Sequence, residues 1–347
     1  MSALREGFTT GSCAAACALA SCLWQRDGVC PDQVSLTVPE GRTYTPEIRP
    51  LSLYRCAVCK DSGDDPDITN GSEVWAEVQL LPDGPVQFRA GEGVGTVTLP
   101  GLKVPVGEAA INPVPRRMMA EAVRSVFPER GAIITVGVTG GRELAQKTFN
   151  PRLGIAGGLS ILGTTGIVRP MSEEALTDTI RLELSVRRAN GVSEIALVFG
   201  SQGEEALRRL RPGLPCVQIS NFVGFALDTA AELGFARVLL AGQPGKLCKV
   251  SGVSMQTHSR YGDGRTEPLC THLALLGAPV SLLQAVLASP TLDGVIAPIR
   301  EAGYAAVWDC LCRAASGYCA ARVRRQLRVD ALMLDAAGQP IGEYIDE

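Results

Sequence analysis

A glycine-rich stretch at residues 147–172 contains cations but no acids, although acids outnumber bases in the whole chain, 36 to 33. Its ionised side chains are those of Lys147, Arg152 and Arg169. Cations without nearby acids, together with accessible backbone amides, suit a ligand rich in carboxylate or phosphate groups. The stretch therefore predicts an anion-binding surface in which Lys147 and Arg152 contact the substrate.

Glycines in the same stretch predict backbone with positive φ that comes close to another surface. They are Gly154, Gly157, Gly158, Gly163 and Gly166. Tight turns in a buried sheet would explain these glycines equally well. The absence of acids, rather than the glycines, is what favours an anion-facing role.

Four aspartates fall within seven residues of the segment 60–71, directly after a predicted strand: Asp61, Asp64, Asp65 and Asp67. Such a cluster could bind a cation, orient a sulfonium, or supply a base whose pKa is raised by like-charged neighbours. It lacks the alternating ligands and distal glutamate of an EF-hand. Asp64 and Asp65 are candidate catalytic residues and Lys60 a candidate substrate contact. A solvated acidic turn is the alternative.

Two predicted helix starts could also hold an anion, because the first amides of a helix are unpaired and its dipole is positive there. Thr9 and Thr10 precede the first predicted helix, and Arg116 lies in the first turn of another. We expect all three to contact the substrate. Ordinary helix capping is the alternative for the two threonines.

The segment 91–101 resembles a phosphate-covering loop, with Gly91, Gly93 and Gly95 at alternate positions. This similarity leaves a small-molecule kinase open as an alternative function. A protein kinase also needs a Lys–Glu pair and a metal-binding acidic motif, neither of which can be assigned in this chain.

In the C-terminal half, Gly200, Ser201 and Gly203 follow a predicted parallel strand and precede a helix. Ligands of open α/β sheets bind outside the carboxyl ends of the strands, so this segment is a candidate cofactor loop. Lys246 follows a later strand and is expected to bind a substrate carboxylate. His258, in a polar glycine-bearing loop, is a candidate for proton handling or cofactor orientation.

The elements that position these residues predict a mixed fold: a β-rich α+β domain at residues 1–168 and a Rossmann-like α/β domain with a parallel sheet at residues 169–347. The predicted helices are at 12–26, 113–127, 172–190 and 222–233, with several more at 267–328. The predicted strands are at 34–38, 42–48, 54–58, 74–80, 86–89, 132–138, 194–199, 216–219 and 238–241.

Composition excludes several classes of protein. A net charge of −3 and an aromatic content of 5% argue against a nucleic-acid binder. No stretch approaches the length of a membrane span, and the 12 cysteines lie in long apolar segments, as expected for reduced thiols in the cytoplasm. The pair Cys56 and Cys59 has no second pair and no nearby histidine, so we predict no metal site.

Successive blocks of the chain resemble the CbiD family, the cobalt-precorrin-5B methyltransferases of the anaerobic corrin pathway. The blocks are GFTTGSCAAA, KDSGDDPDIT, GEGVGTVTLPGL, INPVPR, KTFNPRLGIAGGLSILGTTGIV and the segment from GKL to GDGR. The resemblance implies transfer of a methyl group from S-adenosylmethionine to carbon 1 of cobalt-precorrin-5B, giving cobalt-precorrin-6A for cobalamin. It implies cobalt only as part of the substrate.

A precorrin is edged with acetate and propionate carboxylates, so the cations named above suit it. Members of the family commonly carry a histidine where this chain has Gln243, so a base at that position is absent here. A tetrapyrrole carrier without enzymatic activity is a further alternative. A homodimer and transient contact with neighbouring corrin-pathway enzymes are also compatible with the resemblance.

Overall fold

A computed structural model describes residues 4–346, and the chain divides after Glu173 into two compact units. The helices of the N-terminal unit are α1 (Thr10–Asp27), α2 (Pro113–Val126) and α3 (Gly141–Ala145), with a 3-10 turn at Asn150–Leu153. Its strands are β1 (Gly7–Phe8), β2 (Leu36–Thr37), β3 (Thr43–Tyr44), β4 (Arg49–Ser52), β5 (Arg55–Cys59), β6 (Glu73–Leu81), β7 (Val86–Ala90), β8 (Thr96–Val97), β9 (Gly131–Val138), β10 (Ile155–Ala156) and β11 (Ile167–Val168).

The helix α1 is the central element of the N-terminal core. Thr9 caps its first turn, and Gly28 ends it in the left-handed conformation with φ 78°. Because small residues cover nearly all of its faces, α1 is buried against α2, β5 and β6. This confirms the helix expected from the alanine-rich sequence.

The main N-terminal sheet has the strand order β4-β5-β6-β9-β7. The β4–β5, β5–β6 and β6–β9 pairs are antiparallel, but β7 and β9 are parallel. The sheet is therefore not a meander of consecutive strands. A parallel pair needs a crossover connection, which the segment containing α2 supplies, so β9 lies between β6 and β7.

The C-terminal unit alternates helices with apolar strands, as the sequence predicts. Its helices are α4 (Glu173–Ala189), α5 (Ser201–Leu210), α6 (Val223–Glu232), α7 (Pro244–Ser251), α8 (Thr266–Leu275), α9 (Val280–Ala288), α10 (Asp293–Glu301) and α11 (Val307–Arg322). Its strands are β12 (Glu194–Val198), β13 (Cys216–Gln218), β14 (Arg237–Gly242), β15 (Arg328–Leu334) and β16 (Pro340–Tyr344). The sequence did not predict β15 and β16.

The C-terminal sheet has the order β13-β12-β14-β15-β16. The first three pairs are parallel and the last is antiparallel. Successive residues of β12 enter two different apolar clusters: Ile195 and Leu197 pack with α6, α7 and α11, and Ala196 and Val198 pack with α5. Burial of both faces explains why these strands are continuously apolar.

The chain reverses its direction of winding at β12. From β12 it moves to β13 on one side, and then crosses to β14 on the other side. The carboxyl ends of β12 and β14 therefore lie at the point where the strand order reverses. Ligands of doubly wound sheets bind in a crevice outside the strand ends at that point.

Candidate functional site

Loops that follow three neighbouring parallel strands form what we call the carboxyl-edge crevice. They are residues 199–203 after β12, residues 219–222 after β13 and residues 243–246 after β14. The Gln243 side-chain amide donates to the Gln202 side-chain oxygen at 3.3 Å, so the β12 and β14 loops meet. The structure thus brings the predicted cofactor loop and Lys246 to one edge of the sheet.

The Lys246 ammonium is the principal charge of this crevice. Its Nζ donates to Asn221 Oδ1 at 2.5 Å, and no acid between residues 4 and 346 pairs with it. Because β12 separates β13 from β14, this hydrogen bond spans the end of β12. Burial, and secondly the charge of Lys249, lower the pKa of Lys246. A half-buried cation facing a neutral amide is suited to bind an incoming carboxylate.

A buried lysine fixes the position of Asn221. Lys249 is 6% exposed, and its ammonium donates to the carbonyls of Gly262 at 3.0 Å and Thr257 at 3.4 Å. It also pairs with Asp263 at 3.6 Å. The Thr257 hydroxyl in turn donates to Asn221 Oδ1 at 3.1 Å. The oxygen that receives Lys246 is therefore held from two sides.

His258 follows Thr257 and lies on an exposed turn. Its Nδ1 accepts from the backbone amide of Arg260 at 3.1 Å, which caps the turn Ser259–Tyr261. The Nε2 atom is then the ring nitrogen that remains for proton transfer. Sequence reasoning identified His258 but missed Asn221, Thr257 and Lys249, which have no distinctive motif.

Glycines of the predicted cofactor loop have different surroundings. Gly200 has φ −178°, an extended conformation that any residue adopts, and a Cβ on it would meet no atom within 4 Å. A Cβ on Gly203 would lie 3.3 Å from the Val198 Cβ. Ser201 is exposed at the first position of α5. The loop is therefore open and lies at the positive end of a helix.

In the N-terminal unit, internal partners hold the acidic segment. The Asp61 carboxylate accepts hydrogen bonds from Nη1 and Nη2 of Arg5, and these bonds lower the pKa of Asp61 to about 2. Lys60, only 2% exposed, donates to Ser62 and to Asp67 Oδ2 at 2.6 Å. Lys60 thus forms a buried internal ion pair, and its contact with the substrate stays a prediction.

Like-charge repulsion does not dominate among these carboxylates. Burial alone would raise the Asp67 pKa, but the Lys60 ammonium and two hydrogen bonds from Thr69 outweigh it and the pKa is lowered. Asp64 accepts the Arg5 amide at 2.6 Å, and Asp65 accepts the Met171 amide at 3.2 Å. Asp64 and Asp65 therefore help to fold the loop.

We expect Lys60→Met to destabilise the N-terminal unit by about 3 kcal/mol, because it leaves the partly buried Asp67 carboxylate unpaired. The double variant Lys60→Met/Asp67→Asn should recover most of this loss in urea unfolding. The folded-state pKa of Asp67 is lowered, so its contribution is present at neutral pH and is lost as acid protonates it. Failure of the double variant to recover stability would contradict the pairing.

Both candidate threonines bind the protein itself. The Thr9 hydroxyl accepts the Ser12 amide at 3.2 Å. The Thr10 hydroxyl donates to the Leu162 carbonyl at 3.3 Å and accepts its amide at 3.1 Å. These bonds anchor the glycine-rich stretch to the start of α1, so the capping alternative describes Thr9 and Thr10 better than a substrate contact does.

The glycines of that stretch have the predicted backbone. Gly154, Gly157, Gly163 and Gly166 have positive φ, and Gly158 approaches Gly93 so closely that a Cβ would lie 2.4 Å from its backbone. The surface they approach belongs to the N-terminal unit itself. Apart from Gly157, whose Cβ would meet no atom within 4 Å, these glycines therefore serve internal packing, as the turn alternative predicts.

The Arg116 guanidinium has several partners within the N-terminal unit. Its Nε donates to the Ile111 carbonyl at 2.8 Å, Nη2 to the Ala109 carbonyl at 3.0 Å and Nη1 to Glu108 at 2.6 Å. The side chain also stacks on Phe88 at 5.4 Å. These bonds close the loop before α2, and the role of Arg116 as a carboxylate clamp stays a prediction.

The three cations of the acid-free stretch have different environments. Arg169 pairs with Glu6 at 3.2 Å and Glu40 at 2.5 Å, so acids remote in sequence neutralise it. Arg152 is half-buried beside the Phe149 ring. Lys147 is exposed and has no acid partner within residues 4–346. The positive field predicted from this stretch is therefore weaker than expected.

The N-terminal unit also contains a cavity of about 560 Å³ that we call the glycine cavity. Its lining comes from the segment 90–96, residues 140–143 and residues 156–157. Lys147 and Arg152 do not line it. Sequence reasoning singled out its Gly91 segment but missed Arg142 and Glu143, which line the same space.

No helix among residues 4–346 is long and apolar enough to cross a membrane. A family model described as CbiD matches residues 1–170, and one described as CbiD, C-terminal domain, matches residues 256–344. The chain belongs to the CbiD family.

Several relatives are named cobalt-precorrin-5B C(1)-methyltransferase. That of Tolumonas auensis is 43% identical over 97% of this chain and 92% of its own length. That of Alkaliphilus metalliredigens is 40% identical over 95% and 89%, and that of Citrobacter koseri 41% over 99% and 95%. A crystal structure of the cobalamin biosynthesis protein cbiD from Archaeoglobus fulgidus covers 74% of this chain and 84% of its own, with a TM-score of 0.42 and 27% identity.

Proposed function

We propose that the protein transfers a methyl group from S-adenosylmethionine to carbon 1 of cobalt-precorrin-5B, giving cobalt-precorrin-6A in cobalamin biosynthesis. The observation that carries this proposal is identity of 40–43% over nearly the whole chain with relatives named for that methyl transfer. The same observation disfavours a kinase that uses the Gly91 segment. As part of the same proposal, the protein acts in the cytoplasm.

Lys246 is the proposed contact for a substrate carboxylate in the carboxyl-edge crevice. Its lack of an acid partner and its fixed neighbour Asn221 support this assignment. The same crevice contains the loop of Gly200, Ser201 and Gly203. The backbone amides that begin α5 can donate hydrogen bonds to an anion there. The order and direction of the parallel strands support a Rossmann-like class for this unit. In the N-terminal unit, the exposed Lys147 is a second proposed carboxylate contact.

The transfer forms a carbon–carbon bond and breaks the carbon–sulfur bond, leaving S-adenosylhomocysteine and releasing one proton. Orientation of the two reactants can supply much of the barrier reduction without a protein nucleophile. Asp64, Asp65 and the free Nε2 of His258 are the proposed proton-handling groups. His258 is exposed, and the Arg260 amide engages its Nδ1 and leaves Nε2 for the proton.

Incubation with cobalt-precorrin-5B and methyl-labelled S-adenosylmethionine, followed by mass spectrometry, tests this function. We expect a gain of one labelled methyl group under reducing, anaerobic conditions. Tight binding of the macrocycle without affinity for S-adenosylmethionine would instead support a carrier. Magnesium-dependent formation of ADP would support a kinase.

The substitution Lys249→Met is expected to move the alkaline limb of kcat/KM to higher pH. Protonated Lys246 binds the carboxylate, so activity is present below its pKa and is lost as the pH rises through it. The Lys249 charge contributes to lowering that pKa, and its removal raises it again. Lys249→Arg retains the charge and should leave the limb in place; equal shifts in both variants would contradict the coupling.

A further inference from the structure

Acidic and basic side chains both line the glycine cavity, whereas the principal charge of the carboxyl-edge crevice is the Lys246 ammonium. Glu92, Arg142 and Glu143 line the glycine cavity, and none of their three side chains forms a hydrogen bond or ion pair with another residue of the described chain 4–346. The half-buried Thr96 hydroxyl also lines it and has no hydrogen-bond partner there. Two acids and one base are therefore available to a ligand.

Backbone contacts make the floor of this cavity rigid. Gly93 has φ 74°, and a Cβ on it would lie 1.9 Å from the Val138 carbonyl oxygen. A Cβ on Gly141 would lie 2.4 Å from the Gly93 oxygen, and a Cβ on Gly158 would lie equally close to it. Side chains are thus excluded, and the charged groups project from a preformed surface.

Open space adjoins two other walls of the cavity. A Cβ on Gly140 or Gly157 would meet no protein atom within 4 Å. The volume of about 560 Å³ falls in the range of small-molecule sites, which run from about 300 to 1,000 Å³. The cavity can therefore hold a ligand of nucleoside size.

S-adenosylmethionine carries an α-carboxylate, an α-ammonium and a sulfonium, which are one negative and two positive charges. Arg142 has the charge that suits the carboxylate, and Glu92 and Glu143 have the charge that suits the ammonium and the sulfonium. The carboxyl-edge crevice offers Lys246 and helix amides, a positive set that suits carboxylates but opposes a doubly cationic ligand. The two sites thus have opposite preferences.

We propose that the glycine cavity is the S-adenosylmethionine site, with Arg142 binding the amino-acid carboxylate and Glu92 and Glu143 facing the two cationic groups. This inference rests on the proposed methyl transfer and reassigns the cofactor from the Gly200 loop. The glycine segment 91–95 then approaches an adenosine-bearing ligand rather than a nucleotide phosphate.

Calorimetric titration of Arg142→Gln tests the assignment with two ligands. We expect the Kd for S-adenosylmethionine to rise about tenfold or more through loss of a charge-assisted contact. The Kd for 5′-methylthioadenosine, which lacks the amino-acid group, should not change. Arg124→Gln, an exposed arginine of α2 outside the cavity, is the matched control and should bind both ligands as wild type does.

The double variant Glu92→Gln/Glu143→Gln should lose affinity for S-adenosylmethionine more than for S-adenosylhomocysteine, which has no sulfonium. The site would be overturned if Arg142→Gln bound S-adenosylmethionine with wild-type affinity, or if the double variant lost equal affinity for S-adenosylmethionine and S-adenosylhomocysteine. Methyl transfer by the wild-type protein would still support the function in either case. A wild-type protein that neither binds the cofactor nor transfers its methyl group would overturn both.

Discussion

Replacing Lys246 with methionine is expected to raise the KM for cobalt-precorrin-5B about 10- to 100-fold, the cost of one charge-assisted contact. The ammonium is half-buried, lacks an acid partner and lies against Asn221. A contact made equally in the ground and transition states changes KM and leaves kcat nearly constant. Steady-state kinetics with varied macrocycle concentration measure both values.

Lys103→Met is the matched control, because Lys103 is exposed and lies outside the crevice. It should leave KM unchanged. Unaltered circular dichroism of Lys246→Met will separate loss of binding from loss of fold. An unchanged KM in Lys246→Met, or a loss confined to kcat, would contradict the proposed carboxylate contact.

Replacing Gly93 with alanine is expected to cost the N-terminal unit about 2–5 kcal/mol, the sum of a left-handed backbone penalty and a backbone clash. The new Cβ would lie 1.9 Å from the Val138 carbonyl oxygen, at the end of β9. Neither group is a flexible side chain that can move aside. Urea unfolding followed by fluorescence of Trp24 and Trp75 measures the free energy.

The matched control is Gly140→Ala, at a neighbouring position of the same cavity. Gly140 has φ 69°, similar to that of Gly93, but its Cβ would meet nothing within 4 Å. It should cost only the conformational penalty of about 1–2 kcal/mol. Equal losses in the two variants would show that close backbone approach does not determine the cost.

The amino-acid sequence predicts those helices and strands that depend on a local pattern of apolar residues. The alanine-rich run predicts the buried α1, and the continuously apolar segments predict the parallel strands β12, β13 and β14. The parallel β7–β9 pair could not be predicted in this way. Its partners are more than forty residues apart, and nothing in either strand specifies the other.

The acid-free stretch shows why the site was harder to predict than the fold. Local sequence indicated three unopposed cations, but the two acids that pair with Arg169, Glu6 and Glu40, are more than a hundred residues away. In the same way, Thr10 bonds Leu162 across 152 positions. A segment without acids can therefore still have acids from remote parts of the chain around its cations in the folded protein.

The most direct measurement is the position of the methyl group that the protein adds. Cobalt-precorrin-5B would be incubated anaerobically with the protein and S-adenosylmethionine carrying a ¹³C-methyl group, and the product analysed by ¹³C NMR. The account predicts one labelled methyl bound to carbon 1 of the macrocycle. Label on a different carbon, or a macrocycle recovered without label, would contradict it.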